Sequence, residues 1–161
     1  MEGFELQFIS NSENDTLHFA NRLAGYLKKG DIIILSGDLG AGKTKFTQGF
    51  LQHYGLENEI SSPTFTIVNE YHAKSVAIYH FDVYRLADVD EFYAMGGDEY
   101  FQNGICIIEW GELIEEILPP TYLKIHFEKD EQNEHKRILT LEPKGERFQK
   151  IMEVICKNEH T

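Results

Sequence analysis

Asp31-Ile32-Ile33-Ile34-Leu35-Ser36-Gly37-Asp38-Leu39-Gly40-Ala41-Gly42-Lys43-Thr44 passes from an apolar run into a glycine-rich turn. Ile32 to Leu35 are consecutive apolar residues, mostly β-branched, which predicts a strand buried on both faces, as in a parallel sheet. Gly37 to Thr44 fits G-x-x-x-x-G-K-[ST] at every fixed position. In such a loop the glycines let the backbone bend until successive N–H groups face a phosphate. The helix that follows presents the positive end of its dipole to the same anion. Lys43 is expected to reach the β- and γ-phosphates, and the Thr44 hydroxyl to coordinate Mg²⁺. A chance glycine-rich turn would lack this setting of strand before and helix after. The stretch therefore predicts a nucleoside triphosphate site built from Gly37, Asp38, Leu39, Gly40, Ala41, Gly42, Lys43 and Thr44.

Working outward, Phe4 to Ile9 alternates as a strand does, and Asp15 to Leu27 has helical apolar spacing closed by Lys28-Lys29-Gly30. Lys43 to Tyr54 reads as the helix after the loop. Phe65 to Tyr71 and Val76 to Phe81 read as strands, Asp90 to Met95 as a short helix, and Ile105 to Ile108 as another buried strand. A helix is expected over Glu112 to Leu118, a hairpin over Tyr122 to Phe127 and Arg137 to Leu141, and a closing helix over Glu146 to Lys157. Buried parallel-type strands mixed with crossover helices and hairpins predict an α/β, P-loop NTPase-like three-layer fold, its central sheet mixed and mainly parallel. The 161 residues suit one domain, residues 1–161.

Composition narrows the function. With 27 acidic and 15 basic residues the formal charge is −12, which repels a phosphate backbone and disfavours autonomous nucleic-acid binding. No apolar run has the length of a membrane span, and Met1 to Ser10 lacks the pattern of a signal peptide. A cytoplasmic location is expected. Cys106, inside Ile105 to Ile108, reads as a buried small hydrophobe, and Cys106 and Cys156 have no metal-site spacing.

A P-loop needs an acid at the end of a neighbouring buried strand. Asp82 follows Val76 to Phe81, and Glu109 follows Ile105 to Ile108. Either qualifies by spacing. The more uniformly apolar strand of Glu109 favours it as the Mg²⁺ partner, beside the strand that feeds the loop. Asp82 is then left to orient the attacking water or sense the γ-phosphate. His80 reads first as a hydrogen-bonded structural group, and Arg85 as a salt-bridge or phosphate-charge partner. Ser61-Ser62-Pro63-Thr64-Phe65, after the loop helix, is placed to act as a γ-phosphate switch, or is simply the entry to a strand.

Gly37 to Thr44, Ser62-Pro63-Thr64-Phe65, His80-Phe81-Asp82-Val83-Tyr84-Arg85 and Glu109-Trp110 together resemble the bacterial TsaE family, ATPases of tRNA threonylcarbamoyladenosine biosynthesis. The resemblance implies weak Mg²⁺-dependent ATP hydrolysis and association with partner proteins TsaB and TsaD, of which TsaD makes the modified base. It implies that Thr44 and Glu109 hold Mg²⁺, that Asp82 is needed for hydrolysis alongside Lys43 and Glu109, and that Thr16 lies near the nucleotide, an ordinary helix-start role being its alternative; Thr64, in the switch segment, is counted with the nucleotide-binding residues. Trp110 is implied near the nucleotide or the partner surface, or else is a core aromatic. One departure is Lys45, where the family commonly has a second threonine; this position is counted with the nucleotide-binding residues.

Two other readings share the loop. A small-molecule kinase needs cationic groups on a lid, and Arg22, Arg85, Arg137 and Arg147 form no such segment. A nucleotide-dependent assembly factor with little turnover is the second. Base preference is left open, there being no guanine-reading Asn-Lys-x-Asp motif.

Overall fold

Ile32, Ile33, Ile34 and Leu35 are all fully buried in the computed structural model, because their strand has a parallel neighbour on each edge and a layer on each face. The structure describes residues 5–37, 41–59, 68–84, 86 and 88–159. The strand, β2 (Ile32–Gly37), lies in a seven-stranded sheet with β1 (Leu6–Ser10), β3 (Val68–His72), β4 (Ala77–Asp82), β5 (Ile105–Glu109), β6 (Tyr122–Lys129) and β7 (Arg137–Lys144). The spatial order is β1-β7-β6-β2-β5-β4-β3. The β6–β2, β2–β5 and β5–β4 ladders are parallel, and β3 and β7 run against their neighbours. This is the expected mixed sheet with a parallel centre, and β5 sits beside β2 as the apolar run of Ile105 to Ile108 predicts.

Side-chain alternation splits the core into two layers. Ile33, Leu35, Ile107 and Ile125 meet Phe19, Phe46, Phe50 and Phe148, which come from α1 (Glu13–Ala24), α2 (Lys43–Gln52) and α4 (Glu146–Glu159). On the opposite face Ile32, Ile34, Cys106 and Ile108 meet Phe92, Phe101 and Ile114. Those three belong to α3 (Val89–Ala94) and to 3-10 helices at Gly97–Gln102 and Gly111–Ile117. Each fully buried Phe adds roughly 1.5–3 kcal/mol of transfer free energy, so both helical layers are held to the sheet by aromatic burial.

Two helices depart from the sequence reading. α1 stops at Ala24 rather than Leu27, because Gly25 caps it and the chain tightens: Gly25, Tyr26 and Leu27 donate to Arg22, Leu23 and Ala24. The segment expected as an α-helix over Glu112 to Leu118 is a 3-10 helix broken at Ile114. Gly111 lies hard against β2, where an added Cβ would come 2.4 Å from Ile34 Cγ2. Close apposition and the pull of Ile114 into the core replace α-helical winding, and Tyr122 and Lys124 of β6 both donate to Glu115 to hold the segment down.

Parallel strands end together, so the C-terminal ends of β2, β5 and β4 form one edge. Leu35 is the ladder partner of Glu109, and Glu109 of Asp82. Brought to this edge are the residues that carry the chemistry.

Candidate nucleotide site

Gly37 ends β2 with φ +121°, opposite Phe127 of β6, where a Cβ would lie 2.2 Å from the Phe127 carbonyl oxygen. Only glycine has room for that conformation and that approach. Gly42 has φ +111° and caps α2 without any side-chain hydrogen bond to the first-turn amides, so those N–H groups are left for another acceptor. Ala41 is buried. Asp38, Leu39 and Gly40 lie outside the described residues, as do Thr64 with the rest of Ser61 to Phe65, and Arg85.

Lys43 opens α2 and turns back beneath the loop. Its side chain is buried, its ammonium donates to the Gly37 carbonyl at 2.9 Å, and it sits 4.3 Å from the Trp110 ring centroid. Trp110 holds that position through an unusual backbone: at φ 62° it is the only non-glycine with positive φ among the described residues. The conformation costs of order 1–3 kcal/mol, and the Trp110 amide, donating to Leu35 at 2.7 Å, helps to fix it. Tyr84 packs against the same ring, centroids 5.1 Å apart, and is itself 64% exposed. Trp110 thus packs, partly buried, against the edge of the core and also lies over the lysine.

Glu109 and Asp82 make different contacts. The Glu109 Oε2 takes a 2.6 Å hydrogen bond from His80 Nε2, while Oε1 accepts none from a described residue. Burial opposes ionisation of Glu109, but the hydrogen bond and electrostatic attraction from His80, with the nearby Lys43 ammonium, outweigh that and hold its carboxyl below the usual range. The Asp82 Oδ1 accepts from the Tyr84 amide at 3.0 Å, which shapes the turn after β4. His80 is hydrogen-bonded as the sequence suggests, and its partner is Glu109.

A cleft of about 190 Å³ opens on the α1 side of the loop and is lined by Thr16, Gly42, Lys43, Thr44 and Lys45. Thr44 is exposed there. Thr16 is buried, its hydroxyl bonded to Ser10 at 2.6 Å. Lys45 pairs with Glu13 of α1 at 3.6 Å. Glu109 and Asp82 do not line this cleft; Lys43 joins it to their edge of the sheet. Ser12, Glu13, His135 and Arg137 also line it, and sequence reasoning missed them. Ser12 is the N-cap of α1, its side chain accepting from the Asp15 amide. His135 and Arg137 arrive through the β6–β7 hairpin, and their nearness to the loop follows from β6 pairing with β2, a long-range fact without a local signal.

Comparison with known proteins identifies relatives of the chain. Residues 10–138 match the family model for the threonylcarbamoyl adenosine biosynthesis protein TsaE. The chain is 38% identical over 157 residues to the tRNA threonylcarbamoyladenosine biosynthesis protein TsaE of Bacillus subtilis, covering 97% of each. It is 42% identical over 128 residues to the protein of the same name from Haemophilus influenzae, covering 76% of this chain and 80% of that one. The crystal structure of YdiB from Bacillus subtilis superposes with a TM-score of 0.80 at 34% identity, covering 99% of both chains.

Proposed function

The chain belongs to the TsaE family of tRNA threonylcarbamoyladenosine biosynthesis, and from that premise we propose that it is an ATPase that binds ATP with Mg²⁺ and acts on a TsaB–TsaD partner complex. One observation supports the reading: at a single sheet edge, the glycine-capped start of α2 and the buried Lys43 ammonium lie near the Glu109 carboxylate, whose Oε1 accepts no hydrogen bond from a described residue.

These groups fit a metal-bound polyphosphate in number and charge. The Gly42 to Thr44 amides and the Lys43 ammonium would bind phosphate oxygens; the ammonium would exchange its Gly37 carbonyl for them. The Thr44 hydroxyl and Glu109 would hold Mg²⁺, both being oxygen donors suited to a hard cation. The cation would neutralise charge on the phosphates as the terminal bond breaks. Asp82 would accept a hydrogen bond from the attacking water and orient it. Thr16 and Lys45 would border the rest of the nucleotide in the cleft, and Asp38, Leu39, Gly40 and Thr64 are assigned to the same site from the sequence. The net charge of −12 supports recruitment of tRNA by partner proteins rather than by this chain.

Calorimetric titration with ATP and Mg²⁺ tests the binding: Lys43→Ala should weaken it about 10- to 100-fold, and unchanged affinity would reject the site. Phosphate release, measured with and without TsaB and TsaD, tests the role. Stimulation by the partners is expected. Inertness in every mixture would favour an assembly factor instead, and transfer of labelled phosphate to a metabolite would favour a kinase.

A further inference from the structure

We infer that His80 is a positioning residue for Glu109, fixing which carboxylate oxygen is presented to a divalent cation. The inference rests on the proposed role of Glu109 in holding the metal.

His80 is 4% exposed, in the body of β4. Its ladder partner on β5 is Ile107, whereas Glu109 stands opposite Asp82. The imidazole therefore reaches diagonally across the ladder, a contact that long side chains on one sheet face can make. Nε2 meets Glu109 Oε2 at 2.6 Å. A carboxylate can only accept, so the proton of this bond is on Nε2. The other ring nitrogen, Nδ1, is buried and has no hydrogen-bond partner among the described residues.

That orphan nitrogen argues against a packing role. An apolar side chain of similar size would fill the same space beside Ile78 and Ile107 without leaving a polar atom unsatisfied. What the imidazole adds is the bond to Glu109. A glutamate at a strand end has three side-chain torsions to fix, and holding Oε2 removes most of that freedom while leaving Oε1 for a cation. Outer hydrogen bonds that orient a metal-binding carboxylate commonly govern metal affinity about 10- to 100-fold.

The test is the Mg²⁺ contribution to ATP affinity, measured as the ratio of dissociation constants with and without the cation. His80→Leu should reduce that ratio about tenfold while metal-free ATP affinity stays near wild type. His80→Gln, whose amide nitrogen can occupy the place of Nε2, should recover most of the loss. Equal behaviour of the Leu and Gln variants, or a loss confined to metal-free binding, would overturn the inference. If His80→Leu does not fold, His80→Gln against His80→Asn gives the same contrast, because the shorter amide does not reach Glu109. Glu109→Gln separates the two levels of the argument. If it keeps the Mg²⁺ ratio, the metal role of Glu109 fails and the inference with it; if it loses the ratio and His80→Leu does not, the inference alone fails.

Discussion

The Lys43 ammonium rests 4.3 Å from the centre of the Trp110 ring while donating to the Gly37 carbonyl. The lysine is thus held by a π face and a single backbone oxygen, both of which it can leave for a phosphate. A cation over an indole contributes about 0.5–2 kcal/mol depending on desolvation, less than charge-assisted bonds to polyphosphate supply. Trp110 is the only tryptophan in the chain, so its emission reports this contact directly. Titrating ATP with Mg²⁺ should change tryptophan fluorescence in the wild type, and Lys43→Ala should abolish the response. A full response in the Lys43→Ala protein would dissociate the ring from the lysine.

The two loop glycines differ in what limits them. At Gly37 both the positive φ and a backbone oxygen at 2.2 Å oppose a Cβ, whereas at Gly42 the φ is positive but the nearest atom is the Phe127 ring at 3.7 Å. Gly37→Ala should therefore cost about 3 kcal/mol or more, with β2 and β6 forced apart, and Gly42→Ala about 1–2 kcal/mol from backbone strain alone. Urea denaturation of both variants gives the order. The reverse ranking would mean that the β2–β6 approach relaxes freely.

How far these features were legible depends on whether they are local. Ile32 to Leu35 and the loop after it announce their surroundings, because a β-branched apolar run has few other uses and the loop has fixed spacing. The order of strands has no such signal. That β5 and β6 flank β2, and hence that Glu109 lies near Lys43 while Arg137 reaches the cleft, follows from ladder pairings between residues far apart in sequence. The uniform apolarity of Ile105 to Ile108 was enough to foresee a central place for β5. Arg137 begins an amphipathic hairpin strand and looks like any exposed residue. The 3-10 winding of Gly111–Ile117 was hidden too, since helical spacing does not reveal that Gly111 abuts Ile34. His80 was seen as a hydrogen-bonded residue, but its partner could be named only once β4 and β5 were in register.

Asp82 and Glu109 are ladder partners yet live in different surroundings. Glu109 is tied to His80, while Asp82 accepts from the Tyr84 amide. Asp82→Asn should leave Mg²⁺-dependent ATP affinity within about threefold and lower turnover by 100-fold or more, on the order of what loss of a proton-accepting group costs. Glu109→Gln should do the opposite first, weakening Mg²⁺-dependent binding. Paired Mg²⁺ titrations and single-turnover hydrolysis of the two variants would reveal a swap of roles.

The depressed carboxyl of Glu109 also makes stability depend on pH. Its ordinary value is 4.5, and in the folded chain burial raises it less than His80 and Lys43 lower it. A group with a lowered folded pKa binds fewer protons when folded than when unfolded as the pH approaches that range. Its stabilisation is therefore complete above 4.5 and is lost as the pH falls through the lower folded value. In the absence of nucleotide, the wild type should exceed Glu109→Gln in unfolding free energy by a constant margin at neutral and mildly acidic pH. The margin should then shrink as the solution is acidified below the ordinary glutamate value. Urea midpoints of both proteins across that range measure it. A margin that grew on acidification would mean that the carboxyl is protonated in the fold and donates to His80, which would also remove its capacity to hold a cation.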